Sequence, residues 1–161
     1  MKLAVYPGSF DPITLGHLDL VRRAKRIFGA VVVAVLDNAS KRHTFDLDER
    51  VAMARAATKG IAGVSVDTFS GLLADYMKAK KAHVLIRGVR VVSDMDYEFQ
   101  LAFFNRRLGP AVETVFLMPD EKYTYLASSM VKEVARLGAS VDAFVPPLAA
   151  RRLRQKFQGG V

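Results

Sequence analysis

The chain contains no cysteine. That excludes disulfide scaffolds, thiolate metal sites and cysteine nucleophiles, and it suits a reducing compartment. It also lacks any apolar run near the roughly 18–20 residues needed to span a bilayer. The longest, Ala30–Leu36, is only strand-length. The opening segment Met1–Gly8 is interrupted by Pro7 and Gly8 before a secretory core can form. The sequence therefore reads as a soluble, cytoplasmic protein without a membrane partner. Two familiar phosphate loops are missing as well. There is no Gly-Lys-Ser/Thr P-loop, and Gly8 and Gly16 are too far apart for G-x-G-x-x-G. Walker-type phosphoryl transfer and Rossmann dinucleotide binding are thus disfavoured. No internal repeat, low-complexity tract or linker is found.

What remains is a globular composition. The 161 residues are 51% hydrophobic and 25% charged, which argues for a single domain over 1–161 that can bury a core without a metal or disulfide. The 24 Lys and Arg outnumber the 16 Asp and Glu, giving a net charge of +8. Such a surplus suits an anionic partner. The basic residues are scattered in ones and twos, however, and cluster only at Arg151, Arg152, Arg154 and Lys156. Without a basic stripe interleaved with aromatics, no nucleic-acid partner is expected.

Strand and helix patterns alternate along the chain. Strands are expected at Lys2–Tyr6, Ala30–Leu36, Val64–Phe69, His83–Arg87 and Ala111–Met118. Helices are expected at His17–Phe28, Asp46–Thr58, Leu72–Lys80, Ser93–Leu108 and Ser129–Leu137, with a basic amphipathic helix after Pro147. Asp46 and Glu49 form a capping-box pattern, and Gly138 fits a helix C′ position. This alternation predicts a doubly wound α/β fold: a mostly parallel five-stranded sheet with helices on both faces. In such folds ligands bind beyond the carboxyl ends of the strands.

The residues at those ends carry the chemistry. After the first strand, Ser9 offers a hydroxyl, and Gly16 and His17 lie where the next helix opens, with its free N–H groups and partial positive charge. The same stretch also reads as a Pro/Gly turn capped by Thr14 with an incidental histidine. Lys41 follows the second strand and reads either as a phosphate contact or as part of a solvated loop; His43 reads as surface. Arg87 and Arg90 flank Gly88 after the fourth strand, and arginine is the bidentate reader of phosphate. Ser128 and Ser129 open a later helix, with Lys132 one turn in and able to reach back. Together these residues predict a polyphosphate pocket. No third group is evident to orient His17 for nucleophilic catalysis, so stabilisation of charge in an in-line displacement is favoured over a covalent intermediate.

Thr14-Leu15-Gly16-His17 resembles the (H/T)-x-G-H signature of the nucleotidylyltransferase superfamily, and Ser128-Ser129 its second, serine-rich signature. The strings at 6–14, 84–90, 96–102, 115–119 and 130–136 are similar to those of the phosphopantetheine adenylyltransferase family. The likeness runs to about residue 147 and fades in the basic tail. It implies transfer of the adenylyl group of ATP to 4′-phosphopantetheine, giving dephospho-coenzyme A and pyrophosphate, with Mg²⁺ assisting. By position, the resemblance implies catalytic roles for His17, Lys41 and Arg90. It implies an ATP site of Ser9, Phe10, His17, Gly88, Val89, Arg90, Glu98, Tyr123, Thr124, Tyr125, Leu126, Ala127, Ser128 and Ser129. It implies a pantetheine-substrate site of Ser9, Lys41, Leu73, Arg87, Leu101 and Asn105, and no metal-ligating residues, Mg²⁺ being carried mainly by the ATP phosphates. A homohexamer and feedback binding of coenzyme A are implied in the same way. Leu73 and Leu101 also read as ordinary core. Phe103 and Phe104 are bulkier than the residues some family members carry beside the pantetheine pocket.

Overall fold

The computed structural model describes residues 2–38 and 40–158; Met1, Ala39 of the 37–43 loop and the last three residues lie outside it. Five parallel strands, β1 (Lys2–Gly8), β2 (Gly29–Asp37), β3 (Val64–Ser70), β4 (Val84–Gly88) and β5 (Glu113–Leu117), form one sheet in the order β3-β2-β1-β4-β5. Helices α1 (Leu15–Phe28), α2 (Leu47–Thr58), α3 (Leu73–Ala79), α4 (Val92–Leu108), α5 (Ser128–Arg136) and α6 (Pro147–Gln158) cover it. The doubly wound α/β expectation holds. Expected and observed elements agree in type and nearly in bounds. One piece was not foreseen: a single 3₁₀ turn at Glu121–Tyr123, too short to leave a periodic trace.

The strand side chains explain why the sheet is covered on both faces. Along β2, Val31, Val33 and Val35 join one core with Tyr6, Ile86, α1, α2, α5 and α6, while Val32 and Ala34 join a smaller one with Val5, Leu85, Phe69 and Met77. Period-two alternation between two apolar faces is what a continuous β-branched run encodes. The α4 helix departs from this pattern. Tyr97, Leu101, Phe104 and Leu108 fall in one row along it, and Tyr97, Phe104 and Leu108 are exposed, as is Phe103.

The sheet order sets the location of the crevice. After β3 the chain crosses back to lay β4 beside β1, so the connections leave the carboxyl ends of β1 and β4 in opposite directions. Ligands are received at such a switch point. No helix among the described residues is long and apolar enough to cross a membrane.

Candidate active site

A cleft of about 270 Å³ opens at that switch point. The end of β1 (Tyr6, Pro7, Gly8), the opening of α1 (Thr14, Gly16, His17, Leu20), the end of β4 with Arg90, and the 119–128 segment line it. Tight packing shapes its floor. A Cβ added at Gly88 would come within 2.4 Å of Leu20 Cδ1, so the Leu20 side chain packs into the space that glycine leaves at the end of β4. At the roof a Cβ added at Gly16 would make only ordinary contact with Tyr123 and Leu126, at 3.4 and 3.8 Å.

His17 is built into the helix start. Thr14 is the N-cap of α1, and its Oγ1 accepts the His17 backbone N–H at 3.3 Å. In return, the Thr14 backbone N–H donates to His17 Nδ1 at 3.0 Å. This is a capping box with histidine in the place usually held by Glu or Gln. A backbone N–H can only donate, so Nδ1 carries the lone pair and the proton sits on Nε2. The ring packs edge-on to Phe10, with centroids 5.1 Å apart. Burial, and then the nearby Arg90 charge, lower its pKa to about 4. His17 therefore presents a neutral imidazole whose Nε2–H is its remaining donor. Of the other amides in this first turn, that of Leu15 donates to Phe144 O at 2.9 Å. Only Gly16, whose amide takes up no protein acceptor among the described residues, retains the free donor expected of a helix start.

The opposite wall is cationic. Arg87 donates from Nε and Nη2 to the two Glu98 oxygens, both at 2.6 Å, a fork-to-fork pair. Arg90 Nε reaches Asp94 Oδ2 at 3.3 Å, and its Nη1 reaches the Leu126 carbonyl at 3.3 Å. Burial pushes the Tyr6 hydroxyl pKa well above its ordinary value despite the opposing pull of Arg87 and Arg90, so it stays protonated. On the 119–128 segment, the Asp120 N–H donates to Asp19 at 2.8 Å. Ser128 Oγ donates to the Pro12 carbonyl at 2.8 Å. The α5 helix has no side-chain cap; its opening turn at Ala127 and Ser128 faces the cleft.

Of the residues expected at the site, His17, Arg87, Gly88, Arg90, Tyr123, Leu126, Ala127 and Ser128 share this cleft. His17 and Arg90, 73 residues apart in the chain, face one another across it. The remainder are not among its lining residues. The Phe10 ring backs His17, and the Ser9 carbonyl accepts from Arg50. Val89 is buried, and both Glu98 oxygens are occupied by Arg87. Thr124 and Tyr125 lie on the 119–128 segment, with Tyr125 exposed, and Ser129 follows it. Lys41 stands exposed on the loop after β2. Leu73 packs against the smaller core, while Leu101 and Asn105 are half-buried on α4.

Two readings need correction. His43 is not a surface residue: it is half-buried, and its Nε2 is shut away without a protein partner. Lys132 does not reach the phosphate site; its ammonium is bound to Asp11 at 2.8 Å. Missed altogether were Thr14 as the group that orients His17 and the two buried charged residues Asp11 and Arg50. The capping spacing of Thr14 and His17 was the one available signal. Among the described residues no cluster of three or more His, Cys, Asp or Glu is placed to hold a metal ion.

Residues 5–134 match the cytidylyltransferase-like family model. A phosphopantetheine adenylyltransferase from Caldanaerobacter subterraneus subsp. tengcongensis is 49% identical over 98% of this chain and 99% of its own length. The proteins of that name from Nitrosomonas eutropha and Thiobacillus denitrificans are 53% and 52% identical, over 97% and 98% of this chain and 95% and 99% of their own. A solved structure from Vibrio parahaemolyticus, provisionally named a nicotinate-nucleotide adenylyltransferase, superposes with a TM-score of 0.70 at 15% identity, covering 100% of this chain and 98% of its own. At that identity it speaks for the fold alone. With a nucleotidyltransferase fold, the T-x-G-H helix start at the switch point and half-identical relatives over nearly every residue, the chain belongs to the phosphopantetheine adenylyltransferase family.

Proposed function

We propose that this cleft transfers the adenylyl group of ATP to 4′-phosphopantetheine, as the names of its relatives indicate. A phosphate oxygen of the acceptor attacks the α-phosphorus in line. A new P–O bond forms, the bond to the bridging oxygen toward the β-phosphate breaks, and pyrophosphate leaves with that electron pair. No general base is required, since the acceptor phosphate is already ionised near neutral pH, its second pKa being about 6.

The obstacle is the approach of one anion to another. The observation that carries the reading is that His17 and Arg90 line the same cleft, beside two helix openings. His17 donates from Nε2 to the α-phosphate as charge gathers on its oxygens. Arg90 adds fixed positive charge, and the first turn of α5, uncapped by any side chain, receives phosphate oxygens at Ala127 to Ser129. Gly88 and Val89 hold the nucleotide side with Tyr123, Thr124, Tyr125 and Leu126. Ser9, Phe10 and Lys41 serve the phosphates from the β1 and β2 loops. Arg87, Leu73, Leu101 and Asn105 serve the pantetheine arm, with Glu98 holding Arg87 in place. Mg²⁺ enters on the triphosphate as part of the substrate, because the cleft presents cations and no unpaired carboxylate among its lining residues.

The exposed apolar row on α4 supports assembly into a homohexamer. Cytoplasmic location and feedback binding of coenzyme A at the same cleft complete the reading. The test supplies ATP, Mg²⁺ and a panel of phosphorylated acceptors and follows pyrophosphate release. Phosphopantetheine is expected to be the one efficient acceptor. If it is inert while nicotinamide mononucleotide or glycerol 3-phosphate reacts, the substrate assignment is wrong.

A further inference from the structure

Behind the cleft lies a polar cluster that no step above uses. Asp11, 6% exposed, sits in the loop after β1. Its Oδ1 accepts the Phe45 N–H at 2.9 Å, and its Oδ2 accepts the Thr44 N–H at 2.9 Å and Lys132 Nζ at 2.8 Å. Beside it, Arg50, 2% exposed, has no carboxylate partner among the described residues. Its Nη1 donates to the Ser9 and Leu36 carbonyls at 2.8 and 2.9 Å, and its Nε to Phe45 O at 3.2 Å. The two groups thus hold both ends of one segment. Leu36 is fixed where β2 runs out, and Thr44 and Phe45 are fixed where α2 is about to begin. Lys41 lies on the span between these anchors.

A buried ion pair is weak evidence for stability, because desolvation offsets much of the attraction. Its better use is to fix geometry. Burial works against the Asp11 carboxylate, but Lys132 and the two amides outweigh it and hold the pKa below the ordinary value, so the acceptor is charged at neutral pH. Lys132 is on α5, the helix whose first turn faces the cleft, and Ser128 in that turn is itself bound to the Pro12 carbonyl. One carboxylate therefore joins the loop after β1, the Lys41 loop and the phosphate-facing helix.

We propose that Asp11 and Lys132 form a positioning couple that sets the Lys41 loop against the opening of α5, so that both reach the reacting phosphates in one register. Neither side chain lines the cleft, so they act through Lys41 rather than on substrate. The proposal rests on the reading of Lys41 as a phosphate contact.

A double-mutant cycle tests it. Lys132→Met is expected to lower kcat by about 10-fold or more while KM for ATP stays within about 2-fold. Lys132→Arg, which keeps the charge, should recover turnover to within about 3-fold. In a Lys41→Ala background, Lys132→Met should cost less than about 2-fold further, because the couple then has nothing left to position. Amide exchange at Thr44 and Phe45 should quicken in Lys132→Met. If Lys132→Met does not fold, Lys132→Gln carries the cycle, with an expected loss of at least about 5-fold. Unchanged turnover in the folded variant overturns the proposal, as do losses that multiply in full with that of Lys41→Ala. A Lys41→Ala enzyme with wild-type turnover removes Lys41 from the reaction, and the couple with it. Fully multiplying losses leave the Lys41 reading intact and dismiss only the couple.

Discussion

The two walls of the cleft solve opposite problems. On the α1 side the working group is uncharged, half-buried and locked by backbone: His17 is held by Thr14 and backed by Phe10. On the β4 side the groups are cations held by carboxylates from the following helix, Arg87 by Glu98 and Arg90 by Asp94. A neutral donor can be buried at small electrostatic cost and needs only orientation. Two guanidinium groups three residues apart need counter-charge before any substrate arrives. The wall nearest the chemistry therefore supplies direction, and the other supplies field.

Removing direction should cost most. His17→Ala is expected to cut kcat by about 10²–10³-fold with KM for ATP changed by less than about 3-fold, read by steady-state kinetics. Equal turnover would erase the distinction between the walls. Weakening the field should cost less and appear elsewhere. Arg90→Lys keeps the charge but loses the planar fork, so KM for ATP should rise about 10-fold while kcat falls by less. Glu98→Gln leaves Arg87 without its counter-charge at a site where both side chains are mostly buried. Stability in urea should drop by about 1–3 kcal/mol, with a smaller effect on turnover.

The smallest effect is one of pH. With its pKa near 4, His17 stays neutral through the range in which an ordinary histidine titrates, near 6.5. NMR titration should place its midpoint near 4, with the proton on Nε2, and kcat/KM should show no inflection from it near 6.5. The sign for stability follows from the depressed folded value. Its contribution is complete above about pH 6.5 and is lost as the pH falls through about 4, because the unfolded chain takes the proton first. A midpoint near 6.5 would make the two walls alike in charge at mildly acid pH.

Nearly all of the fold was legible in the sequence, because periodicity is a local property. The apolar, valine-rich run at 30–36 fits a strand covered on both faces, and Asp46 with Glu49 marks the start of α2. Strand ends were legible too, which is why His17, Arg87, Arg90 and Ser128 stood out before any coordinates. What escaped depends on contacts far apart in the chain. Asp11 meets Lys132 across 121 residues and Phe45 across 34, and no local pattern announces such a pair. The α4 row shows a different limit. Helical spacing reveals that Tyr97, Phe104 and Leu108 share a face, but not whether that face turns inward or out.

The cap that begins α1 has one more consequence. The same imidazole nitrogen both ends the helix and settles where the ring keeps its proton. Opening of that first turn would free the ring to rotate and exchange tautomers. A local opening at Thr14 would thus cost turnover even while the rest of the sheet stayed folded.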